Sequence, residues 1–222
     1  MLSVVPTPIG NLEDMTLRAL RVLGEADLVA CEDTRTTGFL LSHFEIETPR
    51  TSFHAHNEHA KVAHLVKQMS DGAHIALVSD AGTPGISDPG FLLVRAAIEA
   101  GIKVEVLPGA TAFVPALVSS GLPTDRFVYE GFLPHKKGRK TRLEGLAGES
   151  RTMVIYESPH RIGRLINELA SVLGEDRPAT VCRELTKKFE EVARGTLAEL
   201  RAWHAAQSKI RGEIVLVVAG HS

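Results

Sequence analysis

The fold is decided by the stretch HIALVSDAGTPGISDPG at positions 74–90, an apolar run followed by a loop rich in glycine and proline. The run at 74–78 has the length and composition of a buried strand. The loop at 79–90 adds little to a core, because glycine loses the most conformational freedom on ordering and proline donates no backbone hydrogen bond. Such a loop is tolerated where the backbone must approach a ligand, and ligands bind at the carboxyl ends of strands in open α/β sheets. The stretch therefore predicts one wall of a small-molecule site.

Outward from this stretch, strand and helix patterns alternate. In the first half we predict strands at 2–5, 27–32, 74–79 and 103–107, and helices at 16–23, 37–44, 57–69, 91–100 and 112–120. This alternation is typical of a mostly parallel sheet with helices on both faces. In the second half we predict strands at 127–132, 152–156, 180–183 and 213–219, and helices at 159–173 and 197–205. We therefore expect an α/β protein with two α/β domains, 1–120 and 121–222.

Composition and charge narrow the class of protein. Of the 222 residues, 44% are hydrophobic and 23% charged, which is typical of a soluble globular protein. The first residues lack the pattern of a signal peptide, and no apolar run has the length of a membrane span, so we expect a cytoplasmic protein without a membrane partner. Cys31 and Cys182 lie in apolar, strand-like runs and are predicted to be core residues rather than a disulfide. The net charge of −2 argues against nucleic-acid binding by the whole surface, but HKKGRKTR at 135–142 carries five fixed positive charges.

Four of the predicted strands end in polar turns that contain glycine, proline or charged residues. These turns are PTPIGN at 6–11, EDTR at 32–35, the loop at 79–90, and PGAT at 108–111. Because the carboxyl ends of parallel strands meet at one edge of a sheet, we expect the turns to converge. Ordinary βα connections also need Gly and Pro, which explains one or two such turns more easily than four. The phosphate-binding patterns G-x-x-x-x-G-K-[ST] and G-x-G-x-x-G are absent, and the prolines remove donors, so a ligand of modest charge fits better than a polyphosphate.

Four motifs taken together resemble one family over nearly the whole chain. They are VPTPIGNL at 5–12, EDTR at 32–35, SDAGTP at 79–84 and YEGFLP at 129–134. They are similar to the ribosomal RNA small-subunit methyltransferase I family of the tetrapyrrole-methylase superfamily. The resemblance implies two α/β domains with the methyl donor, S-adenosylmethionine, bound in a cleft between them, and a homodimer. It also implies methyl transfer to the ribose 2′-oxygen of a cytidine in the decoding centre of 16S rRNA.

The resemblance also implies which residues bind the methyl donor, largely through their backbone. In the first domain and at its end these are Pro8, Asp80, Ala81, Gly82, Thr83, Ser87, Gly109, Ala110, Thr111 and Ala112. In the second they are Tyr156, Glu157, Ser158, Arg183, Glu184, Gly212 and Glu213. The pattern of the residues themselves independently supports the first-domain contacts. In the second domain it supports only the turn at 156–158, where a strand ends in a polar turn before a helix.

The reaction needs a group to take the proton of the ribose hydroxyl, and EDTR offers two carboxylates. Asp33 and Glu32 are our first choices as catalytic residues, while a donor-orienting role suits Asp80 better than that of base. Arg35 would hold a phosphate of the RNA through a bidentate contact. The alternative is that EDTR is only a helix N-terminus with a capping aspartate and a local ion pair. Alone the tetrapeptide favours that alternative; beside the other turns we favour the catalytic interpretation.

Two further segments invite a functional interpretation. The histidines in HAHNEH at 54–59 lack the partner motif of a metal site, so we predict none. Asn57 and Glu58 are predicted to contact the RNA substrate. The basic run is most often a solvated loop, but it directly follows YEGFLP, and we predict that Lys136, Lys137, Arg139 and Lys140 contact the rRNA backbone.

Two other functions stay open at this stage. One is a methyltransferase of the same fold acting on a small molecule such as a tetrapyrrole, which would have no need of the basic run. The other is a non-catalytic ribosome-binding factor, which would have no affinity for S-adenosylmethionine.

Overall fold

The computed structural model of the protein describes residues 1–221. The chain divides into two compact units, Met1–Thr111 and a second unit that begins at Ala112. Each unit contains its own five-stranded sheet and its own hydrophobic core.

The first unit contains a fully parallel sheet with helices on both faces. Its strands are β1 Leu2–Val4, β2 Leu28–Cys31, β3 Arg50–Ser52, β4 Ile75–Val78 and β5 Val104–Val106, in the spatial order β3-β2-β4-β1-β5. Its helices are α1 Leu17–Glu25, α2 Thr34–His43, α3 Glu58–Ser70 and α4 Phe91–Glu99. Alternate residues of β2 and β4 belong to two separate core clusters, one with α1 and α2 and the other with α3 and α4. Because successive side chains of a strand point to opposite faces, these clusters cover the two faces of the sheet. The parallel sheet predicted from the alternation is thereby confirmed.

The second unit contains a mixed sheet. Its strands are β6 Phe127–Phe132, β7 Thr152–Glu157, β8 Pro178–Arg183, β9 Glu191–Thr196 and β10 Ile214–Val218, in the order β6-β7-β10-β8-β9. Only β6 and β7 pair in parallel; the other three pairs are antiparallel. Its helices are α5 Phe113–Ser120, α6 Arg139–Gly145, α7 Ile162–Leu173 and α8 Leu197–Ala206. One core cluster, to which α7 contributes an apolar stripe, covers one face of the sheet. The α/β class is confirmed in both units.

Helix α5 explains why the chain divides at residue 111 and not at 120, where the sequence pattern placed the boundary. The helix contacts β8, β9 and β10. The Thr180 hydroxyl donates to the carbonyl of Ser120, and the Arg194 guanidinium donates to that of Ser119. Helix α5 therefore belongs to the second unit, whose sheet it covers on the face opposite the main core cluster.

Two strands and one helix were not predicted. The short strand β3 and the polar strand β9 lie at sheet edges, where one face and one side are open to water, so neither has the apolar alternation that reveals a strand. The basic run at 135–142 was expected to be a loop, but helix α6 begins within it, at Arg139. Helix α2 starts at Thr34 instead of residue 37, and α7 at Ile162 instead of 159.

Both cysteines are buried and free, as predicted. Burial raises the pKa of each thiol above its usual value. Among residues 1–221, no helix has the length and apolarity needed to cross a membrane.

Candidate active site

The four turns at the carboxyl edge of the first sheet are joined to one another by hydrogen bonds. Thr7 and Gly82 exchange backbone bonds, each at 2.9 Å. The Thr83 hydroxyl donates to the carbonyl of Ala110 at 3.0 Å. The backbone N–H of Asp33 donates to Asp80 Oδ1 at 3.0 Å. The predicted convergence of these turns is confirmed, and it is direct contact rather than mere proximity.

Close backbone approach explains some of the glycines in these turns. A Cβ atom on Gly109 would lie 2.7 Å from Pro6 Cβ, closer than real Cβ atoms come to one another. Gly82 has a φ of +81°, in the region that favours glycine. Ser87 adopts a φ of +63° without being glycine, and such strain persists only where the surrounding structure imposes it. The loop at 79–90 therefore has a specific, imposed backbone shape.

Asp33 is held by its own helix. Its Oδ1 accepts from the backbone N–H of Arg35 at 2.8 Å and caps α2. The Arg35 guanidinium binds the same carboxylate, with Nη2 to Oδ2 at 2.6 Å. These hydrogen bonds from Arg35 lower the pKa of Asp33 to about 2. The helix-capping alternative for EDTR is therefore what the geometry shows, and a carboxylate so stabilised is a poor proton acceptor.

Glu32 lies in the opposite environment. Burial raises the pKa of this carboxyl, and the negative charge of Asp80 raises it further. Burial also raises the pKa of Asp80, together with the charge of Asp33. Glu32 therefore holds a proton more readily than an ordinary carboxylate, which is the property a general base needs.

A cleft of about 310 Å³ opens at Asp80, the one of these three carboxylates that lines it. Asp80 and Pro8 line it, and so does Phe39, whose side chain is 69% exposed. The remaining lining residues are Thr7, Gly10, Leu12, Thr36, Thr37, Leu40 and Ser79. The sequence reasoning missed Phe39, although a signal was available: the buried residues of α2 at 37, 40 and 41 follow the helical period, and 39 lies off that face.

The histidine-containing segment forms a local network instead of a metal cluster. Asn57 Oδ1 accepts from the backbone N–H of His54 at 2.9 Å, so the other amide atom of Asn57 is its NH₂ group. That group donates to His54 Nε2 at 3.1 Å and to Ser52 Oγ at 3.2 Å. Nε2 is thus an acceptor, and the ring proton lies on Nδ1, which is buried without a hydrogen-bond partner in the described part of the chain. Within residues 1–221, no group of three or more His, Cys, Asp or Glu side chains is placed to hold a metal ion.

Asn57 therefore has a structural role that the sequence did not reveal. It stands at the N-cap position of α3, but its side chain makes no cap bond to the helix. Glu58 is the first residue of α3.

In the second unit, the predicted donor residues of the turn at 156–158 have different environments. The Tyr156 ring lies edge-on to Tyr129 and Phe132, with ring centroids 5.3 and 5.5 Å away. The Glu157 side chain is fully buried; its Oε1 accepts from the Ser158 N–H at 2.8 Å and pairs with Arg161 at 2.6 Å. The Glu157 carboxylate is therefore already paired within the protein, so a ligand at this turn would meet the backbone of Glu157 and not its side chain.

The other predicted donor residues of this unit lie close together at the ends of β8 and β10. The Glu184 N–H donates to the Glu213 carbonyl at 2.9 Å, and the Glu213 N–H donates to Glu184 Oε1 at 3.0 Å. Gly212 lies against the Glu184 side chain, where a Cβ atom would overlap it. Arg183 pairs with Glu191 at 2.9 Å.

The structure separates Arg139 from the other basic residues of the run. Lys136, Lys137 and Lys140 are exposed. The Arg139 side chain is only 3% exposed; it pairs with Glu168 at 2.7 Å, approaches Glu157 at 3.7 Å and donates to the carbonyl of Pro134. The guanidinium of Arg139 is therefore already engaged by Glu168 and lies near the buried Glu157, an environment unlike that of the exposed lysines.

Comparisons with known proteins agree with the fold and the motifs. The family described as Tetrapyrrole (Corrin/Porphyrin) Methylases matches residues 1–201. The chain is 52% identical to the Ribosomal RNA small subunit methyltransferase I of Synechocystis over 99% of this chain and 79% of that protein. It is also 52% identical to the protein of the same name from Vibrio cholerae, over 100% of this chain and 77% of that protein. Uroporphyrin-III C-methyltransferase of Thermus thermophilus, solved in complex with S-adenosylhomocysteine, shares the fold with a TM-score of 0.67 at 21% identity, over 98% of this chain and 96% of that one. The chain therefore belongs to the tetrapyrrole (corrin/porphyrin) methylases, within the ribosomal RNA small subunit methyltransferase I family.

Proposed function

We propose that this protein transfers a methyl group from S-adenosylmethionine to the ribose 2′-oxygen of a cytidine in the decoding centre of 16S rRNA. The observation that carries the proposal is identity of about half over nearly the whole chain to proteins named ribosomal RNA small subunit methyltransferase I. The exposed lysines of the basic run and the half-buried Glu32 fit an enzyme that binds RNA and removes a hydroxyl proton.

The residues at the carboxyl edge of the first sheet fit the methyl donor. The close approach of Gly109 to Pro6 and the left-handed Gly82 keep side chains out of these turns, so that a ligand could lie close to their backbone. The turns lack a dense cluster of cations, which suits the uncharged adenosine and the zwitterionic amino acid of the donor better than a polyphosphate. Pro8, the loop from Asp80 to Thr83, Ser87, and the turn from Gly109 to Ala112 would hold it, with Tyr156 and the ends of β8 and β10 contributed by the second unit.

The environment of the carboxylates changes which one we propose as the base. When bound, S-adenosylmethionine supplies an electrophilic methyl group, so the protein has to align the ribose oxygen and accept its proton. Glu32 would take that proton as the oxygen–carbon bond forms. Asp33, whose charge Arg35 stabilises, would instead hold the start of α2 and orient Arg35 toward a phosphate. Arg35 remains suited to that contact because its side chain is 90% exposed.

Binding of the substrate would use three surfaces. Lys136, Lys137 and Lys140 would contact the rRNA backbone, and Asn57 and Glu58 would lie near the substrate at the start of α3. The Phe39 ring beside the cleft would contact the target nucleotide. We further propose that the protein acts as a homodimer in the cytoplasm, on the small ribosomal subunit.

Mass spectrometry of small-subunit rRNA tests the proposal. We expect 2′-O-methylcytidine at the decoding site to be lost in a strain lacking the gene and restored by the wild-type gene but not by Glu32→Gln. An unchanged 2′-O-methylcytidine in the deletion strain would rule the function out. Calorimetry with S-adenosylhomocysteine separates the enzyme from a non-catalytic ribosome-binding factor, which would have no affinity for it.

A further inference from the structure

The turn between β8 and β9, residues 184–190, carries an exposed aromatic side chain beside a lysine. Phe189 is 66% exposed, and Lys188 Nζ lies 5.7 Å from the centre of its ring. Among residues 1–221, no carboxylate lies within ion-pairing distance of Lys188. A single exposed phenylalanine is common on protein surfaces, but this one stands on a turn with an unusual backbone.

The backbone of this turn is strained and firmly held. Glu184 and Thr186 have φ angles of +52° and +67° although neither is glycine. The paired bonds between Glu184 and Glu213 hold one end, and Lys187 Nζ binds both carboxylates at 2.8 Å. At the other end the Thr186 N–H donates to Glu190 Oε2 at 2.6 Å. Non-glycine residues in the left-handed region cost free energy and concentrate at functional sites. The hydrogen bonds around this turn hold it in that strained shape.

The carboxylates in and beside this turn each bind a group of the protein, although Glu190 and Glu213 are exposed as well. Glu184 and Glu213 bind Lys187, and Glu190 binds the backbone. Arg211, on the neighbouring segment, accepts a hydrogen bond from Arg183 through its carbonyl and leaves its own side chain exposed. The result is a firmly held turn that presents one exposed aromatic ring with the Lys188 ammonium beside it.

We propose that Phe189 is a stacking platform for an unpaired base of the rRNA and that Lys188 binds a phosphate next to that base. Single-stranded nucleic acid is bound in this way, by aromatic faces combined with cations that follow the backbone. A protein partner fits less well, because the ring stands among charged residues rather than in an apolar patch. The inference rests on the proposed function and adds a contact surface to it.

Four variants test this inference: Phe189→Ala, Phe189→Leu, Phe189→Trp and Lys188→Ala. Loss of one base-stacking contact weakens binding of a short single-stranded oligoribonucleotide by about 5- to 150-fold. We expect that loss for Phe189→Ala. Phe189→Leu, which keeps apolar bulk but has no aromatic face, is expected to be nearly as weak, while Phe189→Trp retains affinity. Lys188→Ala is expected to weaken binding and to reduce its salt dependence.

Activity assays with small ribosomal subunits provide a second readout. We expect Phe189→Ala to raise KM for the subunit without changing kcat or the affinity for S-adenosylhomocysteine. Leu17→Ala, which removes an 86% exposed side chain in the first unit, is the matched control and leaves all of these values unchanged.

Three results would overturn the inference: wild-type RNA affinity in Phe189→Ala, equal affinities of the Leu and Trp variants, or a change of oligomeric state in place of a change in RNA binding. The last would assign the ring to an interface between copies of the chain. Because RNA binding is measured without the donor, it separates failure of this inference from failure of the proposed function, in which the wild-type protein would bind RNA but not methylate it.

Discussion

Glu32 and Asp33 are neighbours in the chain, but their carboxylates are in opposite electrostatic environments. Strand β2 ends at Cys31, so Glu32 remains next to the sheet edge, half-buried and close to Asp80. One residue later the chain turns into α2, and Asp33 becomes its N-cap and the partner of Arg35. Because their environments differ, Glu32 is suited to accept a proton, whereas Asp33 stays charged.

This contrast predicts different effects of two isosteric substitutions. Glu32→Gln removes the proton acceptor and is expected to lower kcat by about 10²- to 10⁴-fold with unchanged affinity for S-adenosylhomocysteine. Asp33→Asn is expected to retain most of the turnover, because the amide oxygen can still cap α2. Single-turnover methylation of small ribosomal subunits measures both effects. Wild-type turnover in Glu32→Gln, or a complete loss in Asp33→Asn, would contradict the assignment.

The same assignment fixes the direction of the pH dependence. Glu32 must be deprotonated to act, and its pKa is raised, so activity should fall with decreasing pH at values above the usual glutamate pKa of about 4.3. The stabilisation that Asp33 gains from Arg35 is lost at lower pH. It is fully present above the unfolded aspartate pKa and disappears as the pH falls toward about 2. Loss of activity and loss of this stabilisation therefore occur in separate pH ranges.

Asn57 is expected to determine the tautomer of His54. In the wild-type protein the ring proton lies on Nδ1, because Asn57 donates to Nε2. Asn57→Ala removes this donor together with the acceptor of the His54 backbone N–H, so we expect both tautomers to be populated. Nitrogen chemical shifts of the His54 ring measure the change, with Asn167→Ala as the control. A dominant Nε2-protonated form in the wild-type protein would contradict this network.

At the scale of elements, Arg139 connects the start of α6 with β7 and α7. Its guanidinium is buried against Glu168 and near Glu157. Removal of one partner of a buried pair leaves uncompensated charge and costs about 3–5 kcal/mol. We therefore expect Arg139→Met to destabilise the second unit by about that amount. Lys140→Met, at a side chain 89% exposed, should have little effect.

Urea unfolding followed by tryptophan fluorescence measures this difference. The single tryptophan, Trp203, packs against the core of the second unit, and its Nε1 donates to Glu191 at 2.8 Å. Its signal therefore reports on the unit that contains Arg139. Equal urea midpoints for Arg139→Met and Lys140→Met would show that the contacts of Arg139 with Glu168 and Glu157 do not stabilise the second unit.

Two glycines of the first unit are expected to respond oppositely to alanine. Gly24, in the last turn of α1, has nothing within 4 Å of an added Cβ, so Gly24→Ala should stabilise the protein by about 0.5–1 kcal/mol. Gly109→Ala places a Cβ 2.7 Å from Pro6 Cβ and should destabilise it by about 1–3 kcal/mol while weakening S-adenosylhomocysteine binding. Thermal unfolding and calorimetry measure both effects. Wild-type donor affinity in Gly109→Ala would contradict a role of this close contact in the site.

The elements that could be predicted from sequence are those whose pattern reflects burial. Strands β1, β2 and β4 are wholly apolar or small and lie inside the sheet, so their runs stand out. Edge strands β3 and β9 carry polar residues because water reaches them, and this hides their period. The turns of the site were visible through their glycines and prolines. The burial of Arg139 could not be predicted. An arginine in a basic run has the same local sequence whether it contacts a phosphate or two glutamates that are distant along the chain.

At the scale of the whole molecule, charge is distributed so that RNA binding has to be local. The chain has a net charge of −2, so its overall field does not attract a polyanion. Several arginines are occupied by carboxylates within the protein, including Arg139, Arg161 and Arg183. The cations left for phosphates are mainly exposed lysines, of which Lys136 and Lys137 are adjacent. Affinity for RNA should therefore depend on few contacts and change measurably when two of them are removed.

This distribution predicts the salt dependence of RNA binding. Each phosphate contact contributes about 0.7 to the slope of log K against log salt concentration for a single strand, and about 0.9 for a duplex. If both lysines contact phosphates, the double substitution of Lys136 and Lys137 by Ala should reduce the slope by about 1.4 to 1.8. The double substitution of Lys67 and Lys103 by Ala, two exposed residues of the first unit, removes the same charge and should leave the slope unchanged. Equal slopes for the two double variants would mean that net charge alone governs binding, because a local contact depends on where a charge lies and a global field does not.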